Sequence, residues 1–372
     1  MTKNWTHQDL PGIDQIGLSR YKTMGKWNQS VGFKLDEDFS IKMAASISTL
    51  NGKIGVFSES FAGCNLAGIE NYSRAAKGMI AWQYASGVTH MGSITIQNLI
   101  SEAEYADLAE YTGRIALLMR RDQPTSDIAV LVPEASVWAF YTPPPGGRYK
   151  THFDANSDVK DIDLHFRGIC NELSSSQRDF EIFTEELLDK ANIDKGVLRL
   201  GGQSFHFLLL PEARMLKSKS LTKIEAFVEN GGKVIFTGSL PYLSSDTIKN
   251  KQVKDRIEIL LNQYSNQILF LKDINSFKQI PKWMTLRKEP AISWEGSNAI
   301  RIALQKGEGD RTILLSNPSS KLAKGKLTCQ FKGNVSLWNP ETGHIKELGT
   351  RQKGEVIDLT IRDDSAIFVR YE

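Results

Sequence analysis

Residues 52–92 read GKIGVFSESFAGCNLAGIENYSRAAKGMIAWQYASGVTHMG, and the interpretation of the whole chain turns on them. The opening run Lys53-Ile54-Gly55-Val56-Phe57 is short, apolar and partly β-branched, the pattern of a buried strand. Ser58-Glu59-Ser60-Phe61 follows, which puts a carboxylate at the strand's C-terminal tip. A loop of small residues, Ala62 to Gly68, separates it from a helical pattern in which Tyr72, Ala75, Ala76, Met79 and Trp82-Gln83 recur at helical spacing. Ser86-Gly87 ends that helix, and Val88-Thr89-His90-Met91 reads as a second strand. The unit is β-loop-α-β, with an acid at the edge where parallel sheets present their chemistry.

Outward from this unit, Phe39 to Leu50 reads as a helix closed by Asn51-Gly52, and Glu102 to Met119 as another. Helix and strand thus alternate through the first 120 or so residues, as in parallel α/β folds. Arg120 to Pro124 is a polar linker. Beyond it, Asp127–Pro133, Phe205–Pro211 and Lys233–Gly238 read as buried strands. Helices are expected over Ile162–Ser174, Thr184–Ala191 and Ser220–Asn230, and Ile268–Leu271 adds a further strand. That order predicts a flavodoxin-like or Rossmann-like open sheet. From about Thr285 the period changes. Short alternating runs such as Ile300–Leu304, Arg311–Ser316 and Ala366–Val369, separated by Gly, Asn-Pro and Pro-Glu-Thr-Gly turns, predict a small antiparallel β-sandwich. The expected divisions are residues 1–122, 123–284 and 285–372.

With 372 residues the chain exceeds one ordinary core. Hydrophobic residues make up 41% and charged residues 24%, the balance of a globular protein. A net charge of +3, from 46 basic and 43 acidic residues, and the lack of any basic stripe argue against a nucleic-acid partner. Cys64, Cys170 and Cys329 are widely spaced and support neither a disulfide framework nor a zinc site. No apolar run approaches membrane-spanning length, so no membrane association is expected. The N-terminus lacks the pattern of a signal peptide, which points to the cytoplasm if Met1 is the natural start and to the periplasm or secretion otherwise.

Glu59 is the first candidate for chemistry, since a strand tip can carry a carboxylate to the mouth of an α/β barrel. The alternative is a carboxylate that pairs locally at a helix or loop start. His90 and His206 lie in apolar strands and read as satisfied core histidines. Trp138, Tyr141 and Tyr149, beside the Pro-Gly loop Tyr141–Tyr149, suit either a sugar-stacking platform or a packed rim. Gly201-Gly202 and Gly231-Gly232 do not form GxGxxG, and no GxSxG elbow occurs.

Pro11-Gly12-Ile13-Asp14, Ala44-Ala45-Ser46, Val56 to Ala62 and Ile80 to Val88 together resemble the later barrel strands of clan-A-type glycoside hydrolases. The likeness is strongest to the family 106 α-L-rhamnosidases and their β-galactosidase-like relatives. In that pattern a strand ends in S-E-(S/T)-F, and the next helix carries (D/A)-W-Q-Y-x-x-G-V-N; Ala81 and Thr89 depart from the expected acid and asparagine. Asp127–Pro133, Leu208–Pro211 and Phe227–Val234 resemble the amidotransferase-like domain that follows such barrels. Val335–Gly343 resembles the turn of their terminal β-domain. The resemblance implies a partial (β/α)8 barrel, an amidotransferase-like sheet and a β-sandwich, in that order. It also implies hydrolysis of terminal α-L-rhamnosides or related glycans without a cofactor or a metal. Glu59 becomes the catalytic carboxylate, and Asp14, Trp82 and His90 become substrate-binding residues.

A (β/α)8 barrel takes roughly 250 residues, and about 120 precede the second segment here. Glycosidic cleavage ordinarily uses two carboxylates, and no Asn-Glu strand end supplies the second. Two readings therefore stand: a glycoside hydrolase-like protein, truncated or inactive in part, or a non-catalytic carbohydrate-binding or assembly module built on the amidotransferase-like domain.

Overall fold

The structure, a computed structural model, describes residues 5–15, 38–61, 71–142, 157–246 and 248–372. The loop Ala62–Gly68, with Cys64, and most of the Pro-Gly loop, with Tyr149, lie outside these residues.

Three parallel strands come first: β1 (Gly12–Gln15), β2 (Phe57–Ser60) and β3 (His90–Ser93), in that spatial order. Both β2 and β3 begin later than their apolar patterns suggest. Gly55, at φ 155°, sits against Thr89, and Ile54 is 73% exposed, so Lys53–Val56 is a lead-in and not a strand. Helix α1 (Asp38–Leu50) precedes β2, α2 (Tyr72–Ala85) links β2 to β3, and α3 (Glu102–Met119) follows β3. Helix α3 starts at a capping box: the Glu104 amide donates to the Ser101 hydroxyl, and the Ser101 amide donates to the Glu104 carboxylate.

The supposed linker is itself a strand, β4 (Gln123–Pro124). The chain then builds β5 (Ile128–Leu131), α4 (Glu134–Phe140), α5 (Ser157–Ser175), β6 (Glu181–Phe183) and α6 (Glu185–Lys190). A three-stranded antiparallel ribbon follows, β7 (Asn192–Asp194), β8 (Val197–Leu200) and β9 (Gln203–Phe205). Next come β10 (Phe207–Pro211), β11 (Met215–Leu216), α7 (Ser218–Glu229), β12 (Lys233–Thr237), β13 (Leu243–Ser244), α8 (Asn250–Gln263), β14 (Ile268–Leu271) and α9 (Gln279–Thr285).

Five of these strands make one parallel sheet in the order β14-β12-β10-β5-β6. Counted along the chain this is 2-1-3-4-5, the flavodoxin-like winding. Alternate residues feed two cores: Ala129, Leu131, Leu208 and Leu210 face one set of helices, Ile128, Val130, Phe207 and Leu209 the other. Burial on both faces explains why these strands are continuously apolar.

The remaining strands are β15 (Ile292–Gly296), β16 (Arg301–Lys306), β17 (Arg311–Asn317), β18 (Ala323–Cys329), β19 (Gly333–Trp338), β20 (Ile345–Arg351), β21 (Val356–Ile361) and β22 (Ser365–Tyr371). They form two antiparallel sheets, β15-β18-β21 and β20-β19-β22-β17-β16-β4, which share one apolar core. β4 closes the edge of the larger sheet by pairing with Gln305 and Lys306.

The N-terminal helices are seated on both later parts. Helix α1 covers β6: Ser46 Oγ donates to Glu181 at 2.5 Å and accepts from the Ile182 amide, and Lys42 pairs with Asp179 at 2.6 Å. Helices α2 and α3 share a core with Ala303, Leu314, Ala366 and Phe368 of the large antiparallel sheet. Gly78 is needed there, because a Cβ would lie 2.8 Å from the Asp364 Cα. Arg114 of α3 donates to the carbonyls of Pro340 and Glu341, which gives the Pro-Glu-Thr-Gly turn its role as a docking point.

Candidate active site

In the register of the three-stranded sheet, Asp14 lies beside Glu59 and Glu59 beside Gly92, while Phe57 lies beside His90. Paired residues of parallel strands share a face. Asp14, Phe57, Glu59 and His90 therefore stand on one side, and Ile13, Ser58, Ser60 and Met91 on the other. Helix α2 packs on the second side, where Ile13 and Met91 join its core.

Glu59 is the penultimate residue of β2, within the strand and half-buried. Its neighbours explain how it is held. The hydroxyls of Ser58 and Ser60, wholly buried, meet Gln83 Oε1 of α2 at 2.5 and 3.2 Å and lie 3.0 Å from each other. Gln83 thus grips β2 from behind and fixes the side to which Glu59 points. Beyond the strand, Phe61 takes a left-handed backbone at φ 66° while remaining 1% exposed. A bulky residue holds that conformation only where its surroundings enforce it. The Thr95 hydroxyl donates to the Phe61 carbonyl, and the Ile94 amide to that of Ser60 at 3.1 Å. Glu59 also shares its face with the Phe57 ring, which leans across β3: a Cβ at Gly92 would sit 2.7 Å from the ring's tip.

Asp14 is brought to Glu59 across one strand spacing, about 4.8 Å between backbones. Burial raises its carboxyl above the usual range. His90 shares the face but stands one pleat nearer the start of the strands, level with Phe57 and not with Glu59. Its Nδ1 lies 2.8 Å from the Thr89 hydroxyl, and burial, then the Arg120 charge, lower its pKa. Trp82 is not brought to the site. It is 0% exposed inside the core of α2, on the helix side of the sheet. His206 also departs from expectation: it interrupts β9 and β10, and its buried Nδ1 lacks a hydrogen-bond partner. Composition gives no hint of Gln83 as a positioning residue. The signal is the period-two pattern of Phe57-Ser58-Glu59-Ser60, whose serines need a polar partner on the helix side.

Among the described residues no group of three or more His, Cys, Asp or Glu side chains is placed to hold a metal ion. Nor is any described helix long and apolar enough to cross a membrane.

No protein-family model matches the chain, and no curated protein does. Solved structures do. A rhamnosidase from Novosphingobium sp. PP1Y superposes on all of this chain with a TM-score of 0.68 and 16% identity. Over its whole length the chain has the fold of part of that rhamnosidase. A catalytic mutant of Gan42B, a GH42 β-galactosidase from G. stearothermophilus, matches 100% of the chain at TM-score 0.63 and 10% identity. The cold-adapted β-galactosidase from Rahnella sp. R3 matches 99% at TM-score 0.63 and 12% identity. The chain spans 35% of the rhamnosidase and 60% and 61% of the two β-galactosidases. At these identities the likeness is one of fold.

Proposed function

We propose that the chain is a glycoside hydrolase module in which Glu59 supplies a carboxylate for cleaving terminal α-L-rhamnosides or related glycans. One observation carries this reading. Glu59 stands near the C-terminal end of a parallel strand, on the face away from the helices, gripped from behind by Gln83 and flanked by Asp14. In a barrel that face is the interior and that end is the mouth. A carboxylate there either activates water or attacks the anomeric carbon, and its partner acid protonates the leaving oxygen. On this reading residues 1–122 contribute the later part of a (β/α)8 barrel, 123–284 an amidotransferase-like domain and 285–372 a β-sandwich.

The test is Glu59→Gln, assayed on a panel of aryl glycosides that includes the α-L-rhamnoside. Loss of a general base or nucleophile is expected to lower turnover by about 10²–10⁴. The melting temperature stays within about 2 °C, since the carboxylate anchors no helix. An active but destabilised variant overturns the assignment. A second reading is a carbohydrate-binding or assembly module without catalysis. A wild-type chain inert on the whole panel supports that reading.

A further inference from the structure

A cavity of about 560 Å³ opens beyond the carboxyl ends of the five-stranded sheet. In open α/β sheets the connections diverge on either side of the point where the strand order reverses, and the crevice left there is where ligands bind. Here the order reverses between β5 and β10. The cavity draws on both sides of that point: Glu134 and Trp138 come from α4 after β5, Thr184 and Glu186 from the start of α6 after β6, Lys217 from the start of α7 after β11 and Ser244 from β13. Its walls are tied together. The Met215 amide donates to Ser136 at 3.0 Å, the Lys217 amide to the Glu185 carboxylate at 2.8 Å, and the Leu187 amide to Thr184 at 3.2 Å.

Two properties define the ligand. Trp138 is 76% exposed, the most open of the large hydrophobic side chains among the described residues, and it forms part of the lining. A flat apolar ring at the rim of a polar crevice suits a ligand with one apolar face. The polar groups lining it are mainly carboxylates and hydroxyls with one lysine, Lys217, and Glu186 is paired with Lys190 at 2.8 Å through one oxygen. That balance repels a phosphate or carboxylate and accepts hydrogen bonds from hydroxyl groups. The β5–α4 turn, Val132-Pro133-Glu134, also lacks the glycines that bring backbone amides to a phosphate. A sugar ring meets both conditions, with its C–H face on the indole and its hydroxyls toward Glu134, Glu186 and Ser244.

We propose that this switch-point crevice binds a neutral mono- or disaccharide stacked on Trp138, as a second carbohydrate site on a different sheet from Glu59. The site does not depend on Glu59 being catalytic. The test uses the full chain carrying Glu59→Gln, which blocks turnover. Methyl α-L-rhamnopyranoside, methyl β-D-galactopyranoside and cellobiose are titrated by calorimetry, with inorganic phosphate as the anionic control. At least one sugar is expected to bind with a Kd of about 1 mM. Adding Trp138→Ala weakens it at least about tenfold, without changing the unfolding temperature, because the side chain is already open. Glu186→Gln weakens it about threefold and is the readout should Trp138→Ala fail to fold. Three outcomes overturn the proposal: no sugar binds up to about 100 mM, sugar binding is indifferent to both substitutions, or phosphate binds in the crevice in competition with the sugar.

Discussion

The three-stranded and five-stranded sheets are both parallel, but they bury their strands differently. β5, Ile-Ala-Val-Leu, and β10, Phe-Leu-Leu-Leu-Pro, are buried at every position. β2, Phe-Ser-Glu-Ser, alternates half-buried and buried, and its buried positions are serines. The larger sheet lies between two apolar cores, and each leucine or phenylalanine buried there contributes about 1.5–3 kcal/mol. The smaller sheet has one helical face, a polar clamp at β2 between the apolar contacts of Ile13 and Met91, and helices that find further apolar partners in other parts of the molecule. A strand relieved of core duty can hold a carboxylate on its open face.

The contrast is tested most strongly by Leu209→Ala in β10. Leu209 is fully buried, and truncation leaves a cavity between the sheet and its helices, so a loss of about 2–5 kcal/mol is expected in denaturant unfolding. An effect below about 1 kcal/mol would contradict a rigid two-faced core.

Gln83→Leu comes next. It leaves the buried hydroxyls of Ser58 and Ser60 only each other as partners, at a cost of about 1–3 kcal/mol. Because the clamp also aims Glu59, any glycosidase activity should fall by more than the lost stability explains. Equal activity at saturating substrate would limit Gln83 to a packing role.

The contact between the two regions should respond to pH. Burial pushes the Asp179 carboxyl up to about 6, against the opposing pull of Lys42. The folded chain therefore holds this proton more tightly than the unfolded chain, whose aspartates titrate near 3.9. By linkage, the stabilisation is complete below about pH 4 and lost as the pH rises through about 6. Asp179→Asn keeps the shape and removes the titration. The stability of the wild type relative to this variant should fall between pH 4 and 7, and a constant difference would refute the shift.

The smallest effect is expected from Arg74→Ala. The Arg74–Asp363 pair, 2.6 Å long, joins α2 to the β21–β22 turn, but both side chains are about a third exposed. Its loss should cost no more than about 1 kcal/mol. A larger drop in melting temperature would mean that this seam, and not the apolar contact behind it, holds the helix.

What could be read from sequence follows the same division. Strands buried on both faces are continuous apolar runs, so β5, β10 and β12 are visible directly and predict an open sheet, flavodoxin-like or Rossmann-like; β6, only Glu-Ile-Phe, gives no such signal, and its place beside β5 decides the winding. The helical spacing of Leu108, Ile115 and Met119 likewise makes α3 plain. Around Glu59 the apolar signal misleads: Ile54 and Val56 suggest a strand that in fact starts at Phe57, because Gly55 turns the chain against Thr89. Helix α8 is missed because its buried positions, Val253, Ile257 and Leu260, are diluted by charged residues. The fate of Trp82 is hidden for another reason. Its helical position marks one face, and sequence alone does not say whether that face meets the sheet or the site.

β4 has a consequence for how the molecule is made. Its two residues complete the edge of a sheet whose other strands, from β16 onward, are translated some 180 positions later. During synthesis the junction between the Glu59 region and the doubly wound sheet therefore remains an unclosed joint until β16 has been made. Local helices and the flavodoxin-like sheet can form early, whereas this pairing must bear the loop-closure cost of the whole intervening chain. Helices α2 and α3 thus find their seat on the large antiparallel sheet only after the flavodoxin-like sheet has had the chance to form.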